Sequence, residues 1–202
     1  MKEFWDSRYS SKEFVYGKAP NQFFAEEILK LNPGKMISYG EGEGRNAVFA
    51  AANGWDVDAI DFSIEGKKKT EILAAELNVN VNYIVSDIME FNPYENYYDV
   101  ALIIYFHIDD IKRKKFFNKV ISSLKNGGLV IIEVFDKSQL KFNSGGPKSE
   151  NLLYSLEDIV ESFIDFDFIK FAKQIVVLNE GMHHSGEASV IRFIGRKVVA
   201  QE

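Results

Sequence analysis

Lys35–Phe49, with the sequence KMISYGEGEGRNAVF, is the stretch that decides the fold. It begins with Met36–Tyr39, which is typical of one buried strand, and it passes through Gly40, Gly42 and Gly44 into an alanine-rich helix. Glycine has no Cβ, so this backbone can adopt positive φ angles and let a ligand approach closely. The following helix presents unpaired N–H groups at its start. The stretch therefore predicts a strand, a glycine turn and a helix N-terminus that together face a ligand.

A second strand is predicted at Trp55–Ile60, and Asp61 follows it. Asp61 comes about twenty positions after Gly40, the spacing at which βαβ nucleoside sites place an acid on the ribose hydroxyls. A carboxylate only accepts hydrogen bonds, and it can accept from both hydroxyls of one ribose. The pair predicts a site for a nucleoside-containing cofactor. The alternative is a plain doubly wound domain in which Asp61 caps a helix.

Length and composition suit one α/β domain over residues 1–202, of which 46% are hydrophobic. The chain has no cysteine, which excludes disulfides, thiolate zinc sites and a cysteine nucleophile. No apolar run approaches the ~20 residues of a membrane span, so we expect a cytoplasmic protein without a membrane partner. The formal net charge of −6 argues against a nucleic-acid partner, which needs a positive surface.

The remainder of the chain continues the alternation of strands and helices. Two long strands, 166–178 and 188–199, end it without a crossover helix between them, so they must pair antiparallel. The basic runs 67–69 and 112–115 are expected to lie on solvated helix faces. Residues 1–21, rich in aromatic side chains, are expected to form a lid over the sheet or to cover its edge.

The candidate ligand-binding residues stand at strand ends, because an open α/β sheet binds ligands outside the carboxyl ends of its strands. We expect Asp87 to accept a hydrogen bond from the adenine amine, while the backbone N–H of Ile88 donates to a ring nitrogen. Phe62 is expected to cover one face of the base, since aromatic rings stack on bases. The alternative for Asp87 is a helix N-cap.

These features resemble the class I S-adenosylmethionine-dependent methyltransferases, in order and spacing over most of the chain. The most similar members are the small tellurite-resistance and thiopurine-type enzymes, which share residues 4–9, 16–21, 42–47 and the pattern Glu180-Gly181…His184…Gly186. The resemblance implies S-adenosylmethionine as cofactor and methyl transfer to a small-molecule acceptor, such as a thiol or a chalcogen oxyanion. The expected fold class is α/β: a doubly wound, mostly parallel, Rossmann-like seven-stranded sheet in the order 3-2-1-4-5-7-6, with strand 7 antiparallel. We expect a monomer or a homodimer.

The residues expected to bind the cofactor are Gly40, Glu41, Gly42, Arg45, Asn46, Asp61, Phe62, Asp87, Ile88 and Tyr105. One position departs from the resembled family, which carries an acid two residues before the first glycine. Here that residue is Ser38, and Glu41 and Glu43 are the candidates to replace the acid. Tyr105 is expected to face the sulfonium, because aromatic faces attract cations.

The expected catalytic residues are His184, Tyr16 and His107. His184 is the candidate base, or the group that orients the substrate, because the resembled tellurite enzymes carry a histidine in the same hairpin turn. Those enzymes follow it with an arginine where this chain has Ser185, so Arg8, Arg45 and Arg192 are candidates for the positive charge. Alternatively, His183 and His184 are polar residues of a hairpin turn without a functional role, and His107 is a structural histidine. No metal site is expected.

Two other functions compete with methyl transfer. Gly42–Ala47 fits the G-x-G-x-x-A pattern of NAD(P)-dependent oxidoreductases. Against it, Glu41 and Glu43 would repel a pyrophosphate, and the terminal hairpin is foreign to that fold. The second competitor is a non-catalytic nucleoside-binding module.

Overall fold

A seven-stranded sheet forms the centre of the computed structural model, which describes residues 2–198. Its strands are β1 Lys35–Tyr39, β2 Asp56–Asp61, β3 Asn82–Val85, β4 Tyr98–Ile104, β5 Leu124–Phe135, β6 Phe166–Glu180 and β7 His184–Lys197. The α-helices of the described residues are α1 Lys2–Tyr9, α2 Gln22–Ile28, α3 Arg45–Ala52, α4 Ile64–Glu76, α5 Asp110–Ser123 and α6 Leu156–Ser162. Short 3-10 helices lie at Lys137–Lys141 and Glu150–Leu152.

The strand order is β3-β2-β1-β4-β5-β7-β6. β7 runs antiparallel to both β5 and β6, and the pairs on the other side of β5 are parallel. The predicted order and the predicted direction of the seventh strand are confirmed. The predicted end of the last strand at Val199 lies outside the described residues.

β4 shows why the apolar sequence of the central strands is nearly continuous. Its alternate residues pack into two separate clusters, with Ala101 and Ile103 in one and Leu102 and Ile104 in the other. Phe116 and Phe117 of α5 join the first cluster, and α2 and α3 supply the second. Helices therefore cover both faces, and a strand buried on both faces needs apolar residues at every position.

The prediction that both basic runs are fully solvated is wrong at one position of each. Lys69 on α4 is buried and forms an ion pair with Glu43 at 2.5 Å. Arg113 on α5 is also buried; it pairs with Asp158 at 2.6 Å and donates to the carbonyl of Leu153 at 3.0 Å. The period of a helix turns one residue of each run inward, and burial is tolerated because each charge is paired.

The antiparallel course of β7 sets the position of His184. β5 and β7 pair from Leu129 with Arg196 to Phe135 with Val190, so the start of β7 extends beyond the carboxyl end of β5. A tight turn containing Gly181, whose φ is +67°, joins β6 to β7. The hairpin turn therefore reaches the edge of the sheet at which parallel α/β folds bind ligands.

No helix within residues 2–198 combines the length and the apolar character that crossing a membrane requires.

Gly66 on α4 provides a test of the packing that holds the glycine turn. A Cβ at Gly66 would lie 2.5 Å from the carbonyl oxygen of Gly42 and 2.8 Å from the Tyr83 hydroxyl oxygen. Glycine to alanine normally stabilises a helix by about 1 kcal/mol. We expect Gly66→Ala to lower the free energy of unfolding by about 1–3 kcal/mol instead, because the turn or the helix must shift.

Urea denaturation measures this effect. Ala75→Gly at an exposed position of the same helix is the control, and it should cost about 1 kcal/mol from helix propensity alone. A Gly66→Ala protein as stable as the wild type, or more stable, would contradict the close packing of α4 on the turn.

Candidate active site

A cavity of about 510 Å³ lies at the carboxyl ends of β1, β2 and β4, within the range of small-molecule sites. It is lined by α1 and the segment after it, the glycine turn, the strand ends, the loop after β5 and the β6–β7 turn. The predicted site residues among its lining are Tyr16, Gly40, Glu41, Arg45, Asn46, Asp61, Phe62, Tyr105, His107 and His184.

The glycine turn has the left-handed backbone that its sequence predicts. Gly40 has φ +69° and Gly42 has φ +66°. A Cβ at Gly40 would collide with the ring of Phe106, and one at Gly42 would lie 2.6 Å from the Tyr9 hydroxyl. Gly42 does not itself line the cavity. Both glycines are required by backbone angle and by close neighbours, which brings α1 and β4 against the turn.

Asp61 lies directly beside this turn. Its Oδ2 accepts a hydrogen bond from the backbone N–H of Gly42 at 3.0 Å, and its Oδ1 accepts one from the backbone N–H of Ser63 at 2.9 Å. Burial raises the pKa of Asp61 to about 6, although these amides oppose the shift. The structure thus brings the acid at the end of β2 to the glycine turn, as the sequence interpretation requires. Its contact with a ribose stays a prediction.

Glu41 occupies the start of α3. Its Oε1 accepts hydrogen bonds from the backbone N–H groups of Asn46 at 3.0 Å and Ala47 at 2.9 Å, and its Oε2 accepts one from the Ser38 hydroxyl. Burial raises the pKa of Glu41, and its hydrogen bonds oppose that rise. Glu41 therefore supplies a carboxylate close to Ser38, the position where the resembled family carries its acid. The same carboxylate caps the N-terminus of α3.

Glu43, the other acid of the turn, faces the N-terminal segment. Its carboxylate accepts from the backbone N–H groups of Val15 at 3.1 Å and Tyr16 at 3.2 Å, and it pairs with Lys69. Asp6 on α1 in turn accepts from the Ser63 hydroxyl at 2.6 Å. These contacts seat the first part of the 1–21 segment across the cavity, which is the position that a lid requires.

Aromatic side chains of that segment form one wall of the cavity. The rings of Trp5 and Tyr16 lie 6.4 Å apart, and the guanidinium of Arg8 stacks on Trp5 while donating to the Tyr16 hydroxyl at 2.8 Å. Among the described residues, no carboxylate lies within ion-pair distance of Arg8. Arg8 therefore brings an unneutralised positive charge to the wall.

His184 and Tyr105 continue this wall from Tyr16. The ring of His184 lies 4.7 Å from both Tyr16 and Tyr105, centroid to centroid, and its Nδ1 is 3.4 Å from Oε2 of Glu180. The residue is only 6% exposed, and burial lowers its pKa below the ordinary histidine value. His184 is therefore neutral near pH 7, which is the form that accepts a proton.

Tyr105 has an unusual backbone. Its φ is +48°, a conformation that costs a non-glycine residue about 1–3 kcal/mol and often marks a functional site. Its ring stacks on Phe135 with centroids 4.6 Å apart, and its hydroxyl donates to Glu133 at 2.6 Å. The surrounding contacts hold the ring against His184. Its role beside a sulfonium stays a prediction.

His107 lines the same cavity. Its Nδ1 is 3.3 Å from the carbonyl oxygen of Leu152, and its ring is parallel to that of Phe135 at 5.7 Å. Burial lowers its pKa to about 3. The ring is neutral and held by the backbone, and it still faces the cavity.

Asp87 and Ile88 are not brought to the cavity. Asp87 is exposed, and its Oδ1 accepts from the backbone N–H of Met89 at 2.8 Å, so it caps a turn rather than a helix. Ile88 is buried in the core cluster that contains Ile60. Their predicted contacts with adenine stay predictions.

Two buried polar residues of the site were missed by the sequence interpretation. Glu133 in β5 is 1% exposed and accepts from Tyr105, from the side chain of Asn21 at 2.6 Å and from Arg192. Asn21 also donates to Glu180 at 3.1 Å. An acid within the apolar run of a central strand was the available signal for Glu133. Asn21 gives no such signal, because an asparagine before a helix is an ordinary N-cap.

Comparison with known proteins agrees with this geometry. Residues 37–128 match the family model of the methyltransferase domain. The ubiquinone biosynthesis O-methyltransferase of Rickettsia akari (strain Hartford) is 27% identical over 121 residues, which make up 59% of this chain and 47% of that protein. The chain thus spans less than half the length of this curated relative.

Solved structures share the fold at low sequence identity. TehB from Haemophilus influenzae has a TM-score of 0.74 and 16% identity, with 97% of this chain and 66% of that chain covered. The N-methyltransferase NodS from Bradyrhizobium japonicum WM9, in complex with S-adenosyl-L-homocysteine, has a TM-score of 0.74 and 10% identity, with 97% of both chains covered. A structure from work on the conversion of a disulfide bond into a thioacetal group during echinomycin biosynthesis has a TM-score of 0.80 and 14% identity, covering 100% of this chain and 93% of that one.

The resemblance predicted from the sequence is confirmed by the domain match and the strand order. Over residues 37–128 the chain is similar to the methyltransferase domain, and its fold is the one expected of the class I S-adenosylmethionine-dependent methyltransferases.

Proposed function

We propose that this protein transfers a methyl group from S-adenosylmethionine to a small-molecule acceptor. The observation that carries the proposal is one cavity in which the glycine turn and Asp61 face a wall formed by Tyr105 and His184. Nucleoside recognition and proton acceptance would thus take place in a single cavity. The family match supports the same cofactor.

The chain's own residues fit this cofactor. Gly40 lines the cavity, and its left-handed backbone and its contact with Phe106 leave no room for a side chain in the turn. The buried carboxylate of Asp61 lines the cavity and suits a pair of ribose hydroxyls, and Phe62 beside it suits a base. Glu41 and Asn46 line the part of the cavity near the start of α3 and suit the amino-acid end.

S-adenosylmethionine supplies an electrophilic methyl group on a sulfonium. The protein aligns the acceptor with it, and alignment alone can contribute about 7–11 kcal/mol to lowering a barrier. The aromatic walls exclude water, and the ring faces of Tyr105, Tyr16 and Trp5 can stabilise a nearby cation by about 0.5–2 kcal/mol. These side chains do no covalent chemistry themselves.

The acceptor proposed from the sequence is a thiol or a chalcogen oxyanion. The unneutralised guanidinium of Arg8 at the cavity wall supports an anionic group. The curated relative is an O-methyltransferase, which favours a hydroxyl. We propose a single domain over residues 1–202, with 1–21 as its lid. It would act in the cytoplasm as a monomer or homodimer without nucleic-acid or membrane partners.

The capped N-terminus of α3 weighs against a dinucleotide oxidoreductase. Such enzymes place a pyrophosphate on the free amides of this helix, whereas here Glu41 already accepts from two of them. A non-catalytic nucleoside-binding module would not need a neutral histidine and a strained tyrosine beside the nucleoside site. Both features favour an enzyme.

A thermal shift assay with S-adenosylmethionine, S-adenosylhomocysteine and NADH tests the proposal. Only the first two should raise the melting temperature, because a ligand that binds the native state stabilises it. Stabilisation by NADH alone would reject the methyltransferase proposal. Transfer of a radiolabelled methyl group to catechol, 2-sulfanylethanol or sodium tellurite then separates an enzyme from a binding module.

Asp61→Ala is expected to weaken binding of S-adenosylhomocysteine by about 1–3 kcal/mol, the scale of lost charge-assisted hydrogen bonds. In the wild type, the affinity should also fall as the pH drops through about 6, because the carboxyl of Asp61 then becomes protonated. Isothermal titration calorimetry across this pH range measures both effects.

Asp56→Ala is the matched control, since Asp56 lies on the same strand with its side chain 69% exposed. It should change neither the affinity nor its pH dependence. An Asp61→Ala protein with an unchanged dissociation constant would remove Asp61 from the binding site.

His184→Ala is expected to lower turnover by about 10²-fold or more, the usual contribution of a general base, while the affinity for S-adenosylhomocysteine stays unchanged. Methyl transfer to whichever acceptor the wild type accepts measures turnover, and calorimetry measures affinity. Unaltered turnover would return His184 to a structural role in the hairpin turn.

A further inference from the structure

We propose that Glu180 is a positioning residue that holds His184 in its neutral Nδ1–H tautomer, so that Nε2 faces the cavity and takes a proton from the methyl acceptor. The acceptor is then a protic group, a hydroxyl or a thiol, and not a pre-formed anion. This inference rests on the proposed function and narrows its substrate class.

The hairpin fixes Glu180 and His184 against each other. They are register partners at the end of the β6–β7 ladder, with one tight turn between them. Their side chains are 13% and 7% exposed, and Oε2 of Glu180 lies 3.4 Å from Nδ1 of His184. A carboxylate only accepts hydrogen bonds, so the proton of the neutral ring resides on Nδ1.

Glu180 is itself held as a carboxylate. Arg45 donates to its Oε2 at 2.8 Å, and Asn21 donates to its Oε1 at 3.1 Å. Burial acts to raise the pKa of Glu180, but hydrogen bonds from His184 and Arg45 keep this pKa below its usual value. The acid therefore remains ionised at neutral pH and keeps its orientation when His184 changes its protonation state.

Nε2 of His184 is free to meet a substrate. It makes no hydrogen bond to the described residues. Among those residues, the one fully buried side-chain polar atom without a partner is Nε of Arg113, so Nε2 of His184 is not fully buried. Nε2 is thus accessible, and His184 lines the cavity. Gly145 borders this side of the ring, where a Cβ would lie 2.7 Å from Cδ2 of His184. A side chain at position 145 would therefore collide with this edge of the ring.

The charges around His184 favour a neutral starting state. Titratable groups approach it from every neighbouring element: Glu180 from β6, Arg45 from α3, His183 from the turn, Tyr16 from the N-terminal segment, and Tyr105 and His107 from the end of β4. Burial, Arg45 and His183 oppose a charged imidazolium, and Glu180 favours it. Glu180 thus stabilises the product of proton transfer without charging the ring beforehand.

The reaction balances with these groups. The oxygen or sulfur of the acceptor forms a bond to the methyl carbon, and the carbon–sulfur bond of the sulfonium breaks with its electron pair remaining on that sulfur. The proton of the acceptor moves to Nε2 of His184 and later leaves to solvent. An acceptor already present as an anion has no such proton. His184, oriented by Glu180 as a base, therefore contributes to the reaction only with a protic acceptor.

Nitrogen-15 NMR of the histidine rings in the free protein tests the tautomer without cofactor or acceptor. The chain has three histidines, and the spectrum of His184→Gln assigns the signals of His184. We expect a protonated Nδ1 and an unprotonated Nε2 in the wild type at pH 7.5. Glu180→Ala should redistribute the proton toward Nε2, whereas Glu180→Gln should keep it on Nδ1 through the amide oxygen and lower the pKa of the ring.

Glu27→Gln is the control. Like Glu180, Glu27 on α2 pairs with two basic side chains, here those of Lys30 and Lys170, but it is not part of the cavity lining. It should leave the His184 signals unchanged. A wild-type ring protonated on Nε2, or a tautomer unchanged in Glu180→Ala, would overturn the proposal. Because this readout needs no ligand, its failure is separate from a failure of cofactor binding in the thermal shift assay.

Turnover supplies the second readout. With catechol as the protic probe, Glu180→Ala should reduce methyl transfer by at least about 10-fold, and Glu180→Gln should shift the acidic limb of the pH–rate profile to lower pH, because the base has a lower pKa. Methylation of tellurite but not of catechol or 2-sulfanylethanol by the wild type would overturn the protic acceptor class.

Discussion

The left-handed backbone of the glycine turn is the constraint on which the site depends. Positive φ angles at Gly40 and Gly42 direct the chain so that Gly42 donates its N–H to Asp61 and accepts at its carbonyl from Tyr83, at 2.8 Å. The absence of side chains there lets Phe106 and Tyr9 approach from two other parts of the chain. One short turn thereby joins the ends of the first two strands, the end of the fourth and the N-terminal helix.

Buried carboxylates are the second organising feature. Glu41, Glu43, Glu133 and Glu180 all lie within or beside the cavity of a chain whose formal net charge is −6. Each accepts hydrogen bonds from amides, hydroxyls or cations, because an unpartnered buried charge would cost several kcal/mol. Such pairs seldom raise stability relative to apolar packing, so positioning is the better explanation for them. They fix Tyr16, Tyr105 and His184 around one space, and a cluster of negative charge also suits a cationic cofactor.

The antiparallel last strand supplies the part of the cavity wall that contains His184. In an all-parallel sheet the carboxyl edge receives only strand ends followed by crossover helices. β7 instead arrives at that edge through a hairpin turn, which brings His184 into the cavity that Asp61 also lines. The residues proposed to bind the cofactor and the residue proposed to accept a proton therefore come from separate parts of the chain. The N-terminal segment closes the space between them through Glu43.

The sequence alone determined the glycine turn, the position of Asp61 after the second strand and the antiparallel pairing of the last two strands, because periodicity, glycine spacing and loop length are local properties of the chain. The strand order came from the family resemblance. The sequence also identified His184, although only through that resemblance. The tertiary structure decided which members of a polar run turn inward, as Lys69 and Arg113 do, and which acids act together, as Glu180 does with Arg45 and His184. It also left Asp87 exposed, away from the cavity. The physical reason is that burial and pairing of a charge depend on residues distant in sequence, and the protonation state of His184 depends on that burial.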